Sequence, residues 1–265
     1  MNPRSSTPGR EIDQNPTFTL VSPDPQIPTS AVTNSPTFTI SDEEKAKGLN
    51  ESVSKPIVCE APSLWGITPG KTSFADVKNY LMLYGLEPFV TNFEGKVDIS
   101  TSYHLENGLS VNASMPIKDD VVEQIELRIT ANSPQEGRWE GWGVYSPRAL
   151  IQLYGEPSNV EFSASYGPDG HHDLFLSLYF IRTDLIVEYY IRDFKDLEIN
   201  NVHLCPMLLK YDGIDVWLAR KPFYSSRGGN PLQDVSSLSI SEFSKRMLDD
   251  PKNACFEVDG RAVLQ

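Results

Sequence analysis

The sequence has no long apolar run and few cysteines, and both absences exclude classes of protein. No stretch of the 265 residues approaches the roughly 18 apolar residues that a membrane-spanning helix needs, so we expect no transmembrane segment. The first residues also lack the apolar core of a signal peptide, so we expect either a cytoplasmic chain or one whose leader has been removed. Three cysteines are too few for a disulfide scaffold and too scattered for a zinc motif with paired spacings.

Basic residues are also scarce. Lys and Arg number 23 against 36 Asp and Glu, which gives a net charge of -13. Proteins that bind nucleic acid carry a basic face that neutralises phosphates, and this sequence contains no dense cluster of Lys or Arg. We therefore expect no nucleic-acid partner, and the same charge disfavours an anionic membrane surface.

Motifs that would identify an enzyme are missing from the sequence. It contains no nucleophile elbow, no zinc-protease helix motif and no dinucleotide-binding glycine fingerprint. The segment from Gly66 to Thr72 resembles a phosphate-binding loop, but it has one residue too few before Gly70, and Pro69 removes a backbone donor. We predict no catalytic residue and no cofactor from these patterns, and we interpret Gly70 and Thr72 as the start of a helix.

The pair His171-His172 is the densest group of possible metal ligands. It follows a predicted hairpin turn that ends at Gly170 and precedes Asp173. Adjacent residues on a strand point to opposite faces, so the two rings do not easily share one ion. A metal-dependent hydrolase that uses these histidines and nearby carboxylates is the alternative to a non-enzymatic protein.

Hydrophobic spacing predicts a helix followed by three strands, twice. Ser73 and Ser146 are helix N-caps, and the strands cover 97–105, 109–115 and 121–130, then 160–166, 174–181 and 185–191. A strand over 214–218 and a helix with a capping box at Ser239 follow. The fold class is therefore α+β, with two tandem helix-plus-three-stranded antiparallel meander repeats and an additional C-terminal helix.

Four segments result from this pattern. Residues 1–62 hold nine of the 20 prolines, and we expect a Pro/Ser/Thr-rich disordered tether. The first repeat covers 63–135 and the second 136–200. Residues 201–265 form the C-terminal strand and helix, which pack on the repeats.

The ends of the two predicted helices carry a resemblance to a known family. Gly70 and Thr72 form a Gly-x-Thr turn, Val77 is the apolar helix position, and Gly155-Glu156-Pro157 is a Gly-x-Pro exit before a meander. This pattern resembles the outer-membrane assembly lipoproteins of the BamE family and the wider group with the tandem fold of the β-lactamase-inhibitor protein. The likeness covers roughly 65–195. It implies a non-enzymatic binding or scaffold module of the bacterial cell envelope.

We predict a binding face from aromatic residues in the predicted strands. Tyr103, Tyr166 and Tyr179 would lie on the sheet face opposite the helices or in the groove between the repeats, because tyrosine suits an interface that stays soluble when empty. The alternative is that these rings pack against the C-terminal helix.

The cysteines permit one disulfide and one odd thiol, or three reduced thiols. In an oxidising compartment the sequence favours Cys205–Cys255, because both lie in the C-terminal ordered part, whereas Cys59 adjoins the tether and costs more to order.

The leading functional prediction is a bacterial extracytoplasmic protein that binds another protein or an envelope component. The helix-plus-meander repeat, the tether, the acidic composition and the lack of an enzyme motif all favour it. The alternatives are the metal-dependent hydrolase and a cytoplasmic regulatory module.

Overall fold

The computed structural model describes residues 41, 44, 47–48, 63–104, 109–131, 140–166, 172–192, 194, 201–209, 211–219, 229–250 and 254–264. All of them belong to one compact unit, residues 40–265. Residues 1–39 lie outside the described residues. Most of the predicted tether lies outside them as well. The predicted boundaries after 135 and 200 fall inside the compact unit.

Five α-helices occur in the described part of the chain. They are α1 (Phe74–Leu83), α2 (Pro147–Tyr154), α3 (Leu232–Val235), α4 (Ile240–Leu248) and α5 (Gly260–Val263), with 3-10 turns at Glu140–Tyr145 and Ile181–Thr183. The hydroxyls of Ser73 and Ser146 accept hydrogen bonds from the third residue beyond each of them, and Ser239 forms a capping box with Glu242. The three predicted helix starts are therefore confirmed.

Twelve strands are described. They are β1 (Phe89–Phe93), β2 (Lys96–His104), β3 (Leu109–Lys118), β4 (Val121–Val122), β5 (Gln124–Ala131), β6 (Asn159–Tyr166), β7 (His172–Phe180), β8 (Leu185–Ile191), β9 (Val202–Leu204), β10 (Gly213–Ala219), β11 (Asn230–Pro231) and β12 (Phe256–Val258).

Ten of these strands form one antiparallel sheet in the order β1-β2-β3-β5-β10-β8-β7-β6-β11, with β4 beside β3. The remaining two, β9 and β12, pair with each other. The predicted strand at 214–218 is present as β10, and it pairs on one side with β5 and on the other with β8. The chain is therefore of the α+β class and is mostly sheet.

One face of this sheet builds the hydrophobic core. Alternate residues of every long strand point to it, among them Ile129, Val216 and Val187, which are all fully buried. Val77 of α1 and Leu150 of α2 belong to the same cluster of buried side chains. Both helices consequently cover the same face of the sheet.

The two halves of the sheet are not copies that can be superposed strand for strand. The strands run from edge to centre as β2, β3, β5 in the first half and as β6, β7, β8 in the second. Because β5 and β8 are both antiparallel to β10, they are parallel to each other. A rotation about an axis perpendicular to the sheet would exchange the halves but reverse the direction of every strand. A rotation about an axis along β10 would keep the strand directions but move each helix to the opposite face of the sheet. Apart from the additional strands β1, β4, β9, β11 and β12 and the short helices α3 and α5, the elements follow the predicted order along the chain. The strand order in the sheet does not support two tandem copies of one unit.

Candidate functional site

The sheet has a second face, which lies opposite the helices, and in the first half of the sheet it is open to solvent. We call it the open face. Its side chains on β2, β3 and β5 are polar, and most are small; they are Ser100, Ser102, Asn112, Ser114, Glu126 and Arg128. Alternation along the strands produces this arrangement, because their neighbours Ile99, Val111 and Leu127 are buried on the core face.

A concavity of about 730 Å³ lies on the open face. Its floor is formed by β2, β3 and β5, and one wall is the segment from Glu87 to Phe89, which connects α1 to β1. We call this concavity the open-face groove. It contains hydroxyls, one amide and the charged side chains of Glu87, Glu126 and Arg128.

Arg128 is held in the groove by an ion pair with Asp215. Its Nε lies 2.8 Å from Oδ1 of Asp215 and its Nη2 lies 2.9 Å from Oδ2, so the contact is bidentate. Only 1% of the Asp215 side chain is exposed, whereas 46% of the Arg128 side chain is. The hydrogen bonds to Asp215 raise the pKa of Arg128, so the guanidinium keeps its charge in the folded protein.

Glu126 lies beside Arg128, with 3.5 Å between Oε1 and Nη2. Partial burial raises the pKa of Glu126 above its ordinary value, and the negative charge of Asp215 adds to this effect. The nearby charge of Arg128 and a hydrogen bond from Trp217 act in the opposite direction.

The polar row that contains Arg128 continues into the second half of the sheet, where it is buried. Directly opposite residues in this row are Asn112, Arg128, Asp215, Glu188, Ser177 and Glu161. The Ser177 hydroxyl donates to Oε2 of Glu188 at 3.0 Å, and both side chains are buried. Asp215 is the member of this row that fixes the position of Arg128.

The predicted tyrosine face is not formed as one exposed surface. Tyr103 is partly buried and packs against Trp65 on the core side, with 6.1 Å between the ring centroids. Tyr179 is only 4% exposed on the opposite face, where its hydroxyl donates to Oε2 of Glu161 at 2.6 Å. Tyr166 ends β6 opposite His172, and its side chain lies outside the described part. The prediction fails because the alternation of β2 and β7 puts Tyr103 and Tyr179 on different faces.

Of the two histidines that the hydrolase alternative uses, the structure describes only His172. His172 begins β7 and is 7% exposed, while His171 lies outside the described residues. Within the described ranges, no group of three metal-ligating side chains includes His172.

Cys205 and Cys255 are joined by a disulfide at the end of the small sheet made by β9 and β12. Cys59 lies outside the described residues. Beside the disulfide, Nδ1 of His203 lies 2.8 Å from Oε1 of Glu257.

Sequence reasoning did not find β1, the groove or the pair of Arg128 and Asp215. Arg128 and Asp215 are 87 residues apart, and no local pattern indicates that β10 lies between the two halves. The one signal in the sequence for β1 is its run of Phe, Val and Thr before Glu94-Gly95, which is typical of a strand that leads into a two-residue turn.

Comparison with protein families, with curated proteins and with solved structures finds no match to this chain. Among the described helices, none combines the length and the apolar character needed to cross a membrane.

Proposed function

We propose that this protein is a non-enzymatic binding module that holds an extended segment of another protein along the free edge of β1, whose first residue, Phe89, also lines the open-face groove. The observation that carries the proposal is the exposure of β1. All five of its residues are exposed, including Phe89 at 66%, Val90 at 40% and Phe93 at 72%. Large apolar side chains at an uncharged sheet edge are typical of an interaction site.

The backbone of β1 supports the addition of a strand. Glu94 and Gly95 have positive φ and form a two-residue turn, so the flanking pair Phe93 and Lys96 exchanges both backbone hydrogen bonds. Along a strand, the N–H and C=O groups of successive residues point in turn towards and away from the neighbouring strand. Those of Thr91 therefore point towards β2, and those of Val90 and Asn92 point away from it. No other strand in the described residues pairs with this side of β1. The amide and carbonyl groups of Val90 and Asn92 are therefore available to a partner strand.

The other edge strand of the sheet, β11, is protected against the addition of a further strand, whereas β1 is not. Strand β11 has two residues, and the second, Pro231, has no N–H to donate. The side chain of Asn230 donates to the carbonyl oxygen of Ala262 near the end of α5, so the C-terminal segment covers this edge. Neither a proline nor a charged residue lies within β1.

Charges around β1 indicate the chemistry of the partner. Glu87 precedes the strand and Glu94 follows it, and neither has a resolved cation beside it among the described ion pairs. A suitable segment is therefore apolar or β-branched in the centre, where it lies beside Val90 and Asn92, and carries Lys or Arg at its ends.

We also propose an extracytoplasmic location. The disulfide between Cys205 and Cys255 supports it, because such bonds persist in oxidising compartments. The resemblance of the helix ends to the BamE family points in the same direction. That family consists mostly of envelope binding modules, so it supports both parts of the proposal.

Fluorescence anisotropy with a short labelled peptide tests this function. The peptide alternates threonine and valine and carries an arginine at each end. We expect the wild-type chain to bind it and Phe93→Glu to weaken binding about tenfold or more, because the charge opposes strand addition. Met82→Glu, on the exposed side of α1, is the matched control and should bind as the wild type does. Equal binding by Phe93→Glu, or no binding by the wild type, would contradict the proposal.

A further inference from the structure

The disulfide at the end of β9 and β12 is part of a larger constellation. His203 lies opposite Glu257 in the register of these strands, and continuing that register by two residues places Cys205 opposite Cys255. Residues two apart on a strand point to the same side, so all four side chains share one face of the small sheet.

Three of these side chains offer metal-ligand atoms at close range. A ring nitrogen of His203 and the sulfur atoms of Cys205 and Cys255 all lie within 4.8 Å of one another. Two thiolates and one imidazole bound to a tetrahedral Zn²⁺ ion stand about 3.5 to 4 Å apart, given the usual Zn–S and Zn–N lengths. Two of the three donors are the sulfurs of the disulfide itself, so reduction must separate them before all three can bind one ion, and the His203 ring already lies within reach of both.

Glu257 fits a supporting role beside these ligands. Its Oε1 lies 2.8 Å from Nδ1 of His203, which leaves Nε2 as the nitrogen that can bind a metal. A carboxylate that accepts a hydrogen bond from the second ring nitrogen fixes the tautomer and the orientation of a metal-binding histidine. Glu257 is thus a positioning residue.

The rest of the small sheet anchors the four side chains. The alternate residues Val202, Leu204 and Phe256 are buried, and the Phe256 ring makes edge contacts with Phe162 and Phe243. The carbonyl oxygen of Cys255 also accepts a hydrogen bond of 2.7 Å from Nη1 of Arg246. The strands that carry the ligand set are therefore anchored by packing on their inner side.

We propose that reduction of the disulfide converts this place into a Zn²⁺ site. The sulfurs of Cys205 and Cys255 and Nε2 of His203 bind the ion, and the fourth position stays open to water. A dithiol reductant supplies two electrons and two protons to the cysteine sulfurs and leaves as its own disulfide. Zinc then displaces the two thiol protons into solvent. The chain would bind zinc when reduced and release it when oxidised.

Cobalt substitution in the full-length protein tests the site. The protein is reduced with a phosphine, desalted without oxygen and titrated with Co²⁺. We expect one Co²⁺ per reduced chain, with a thiolate charge-transfer band that Zn²⁺ abolishes, and no band in the oxidised chain. Cys59→Ser, which keeps both proposed sulfur ligands, should give the same band as the wild type. The absence of the band in the reduced wild type, or its loss in Cys59→Ser, would overturn the proposal.

Single substitutions distinguish the three proposed metal ligands from the positioning residue Glu257. Cys205→Ser and His203→Ala should abolish the charge-transfer band or weaken binding strongly. Glu257→Ala should weaken metal binding about 10- to 100-fold, and Glu257→Gln, which keeps an acceptor oxygen, should lose less. If Cys205→Ser bound cobalt as the wild type does, the assignment would be wrong.

A thermal measurement covers the case in which the reduced chain loses structure. Zn²⁺ should raise the Tm of the reduced wild type and leave that of the oxidised protein unchanged. A reduced chain whose Tm does not respond to Zn²⁺ would contradict the site.

Discussion

Arg128 and Asp215 lie directly opposite each other on β5 and β10, and their side chains form a bidentate ion pair on the open face. The pair joins the first half of the sheet to the strand inserted at its centre. It is asymmetric, because solvent reaches about half of the Arg128 side chain and almost none of Asp215. Glu188 lies opposite Asp215 on the next strand, β8, and is also buried. Arg128 therefore lies between the groove and the two buried carboxyl side chains of Asp215 and Glu188.

This asymmetry predicts different costs for removing each partner. Arg128→Ala leaves a buried carboxylate beside Glu188 without its cation, and we expect a loss of about 3 kcal/mol in the free energy of unfolding. Asp215→Ala leaves a guanidinium that can turn to water, and we expect only about 1 to 2 kcal/mol, reduced by solvent screening. Urea unfolding of the two variants gives both values. Equal losses, or a larger loss for Asp215→Ala, would be inconsistent with the burial of Asp215.

An exposed ion pair provides the control for this measurement. Lys118 and Glu123 are 3.7 Å apart, with more than half of each side chain exposed. Lys118→Ala should change the free energy of unfolding by less than about 0.5 kcal/mol.

Glu126 predicts a dependence of stability on pH. Partial burial raises the pKa of Glu126 in the folded protein above the ordinary 4.5, so the folded chain holds this proton more tightly than the unfolded chain. Its contribution to stability is fully present below pH 4.5 and is lost as the pH rises through the raised pKa. Glu126→Gln removes this loss. The free energy of unfolding of the wild type should therefore fall relative to Glu126→Gln over that window. A flat or rising difference would show that burial does not dominate at Glu126.

The disulfide predicts a large effect of reduction on stability. Cys205 and Cys255 are separated by 50 residues, and closing a loop of this length restricts the unfolded chain by roughly 4 kcal/mol in the chain-entropy relation. We expect reduction without added metal to lower the free energy of unfolding by an amount of this order. Peptide mapping of the unreduced protein identifies the bonded pair. Finding both cysteines alkylated in native, unreduced protein would rule the disulfide out.

The capping box of α4 predicts a smaller, local effect. The Ser239 hydroxyl accepts from the Glu242 amide, and the Glu242 carboxylate accepts from the Ser239 amide. Ser239→Ala should cost about 1 kcal/mol of stability, measured by urea unfolding. Ser241→Ala, at an exposed position in the same turn, should leave stability within about 0.5 kcal/mol of the wild type. Equal losses of stability in Ser239→Ala and Ser241→Ala would contradict a stabilising role of the capping hydrogen bonds.

Local features of this fold could be predicted from the sequence because neighbouring residues determine them. The N-caps Ser73, Ser146 and Ser239 bond within their own first turns, and the α+β class follows from the alternation and the helical spacing. The strands at 97–105 and 185–191 were predictable on the same grounds, within one residue at each end.

The candidate site could not be predicted, because long-range pairing creates it. The groove depends on β10 pairing with both β5 and β8, and the positions of Asp215 relative to Arg128 and Glu188 follow from that register. The sequence does not show that Tyr103 and Tyr179 lie on different faces, because the face of a strand residue depends on register and a shift of one residue reverses it. Strand β1 is hard to predict because its sequence, Phe-Val-Thr-Asn-Phe, does not alternate apolar and polar residues.

Hydrogen exchange at β1, resolved by residue with and without the threonine-valine peptide, tests the central claim most directly. A strand added to β1 would accept hydrogen bonds from the amides of Val90 and Asn92, which point away from β2, so their exchange should slow markedly. The amide of Thr91 points towards β2 and should change little, which makes it an internal control. Protection of Val90 and Asn92 but not Thr91 is the predicted result. Unchanged exchange at Val90 and Asn92 under saturating peptide would contradict binding at this edge.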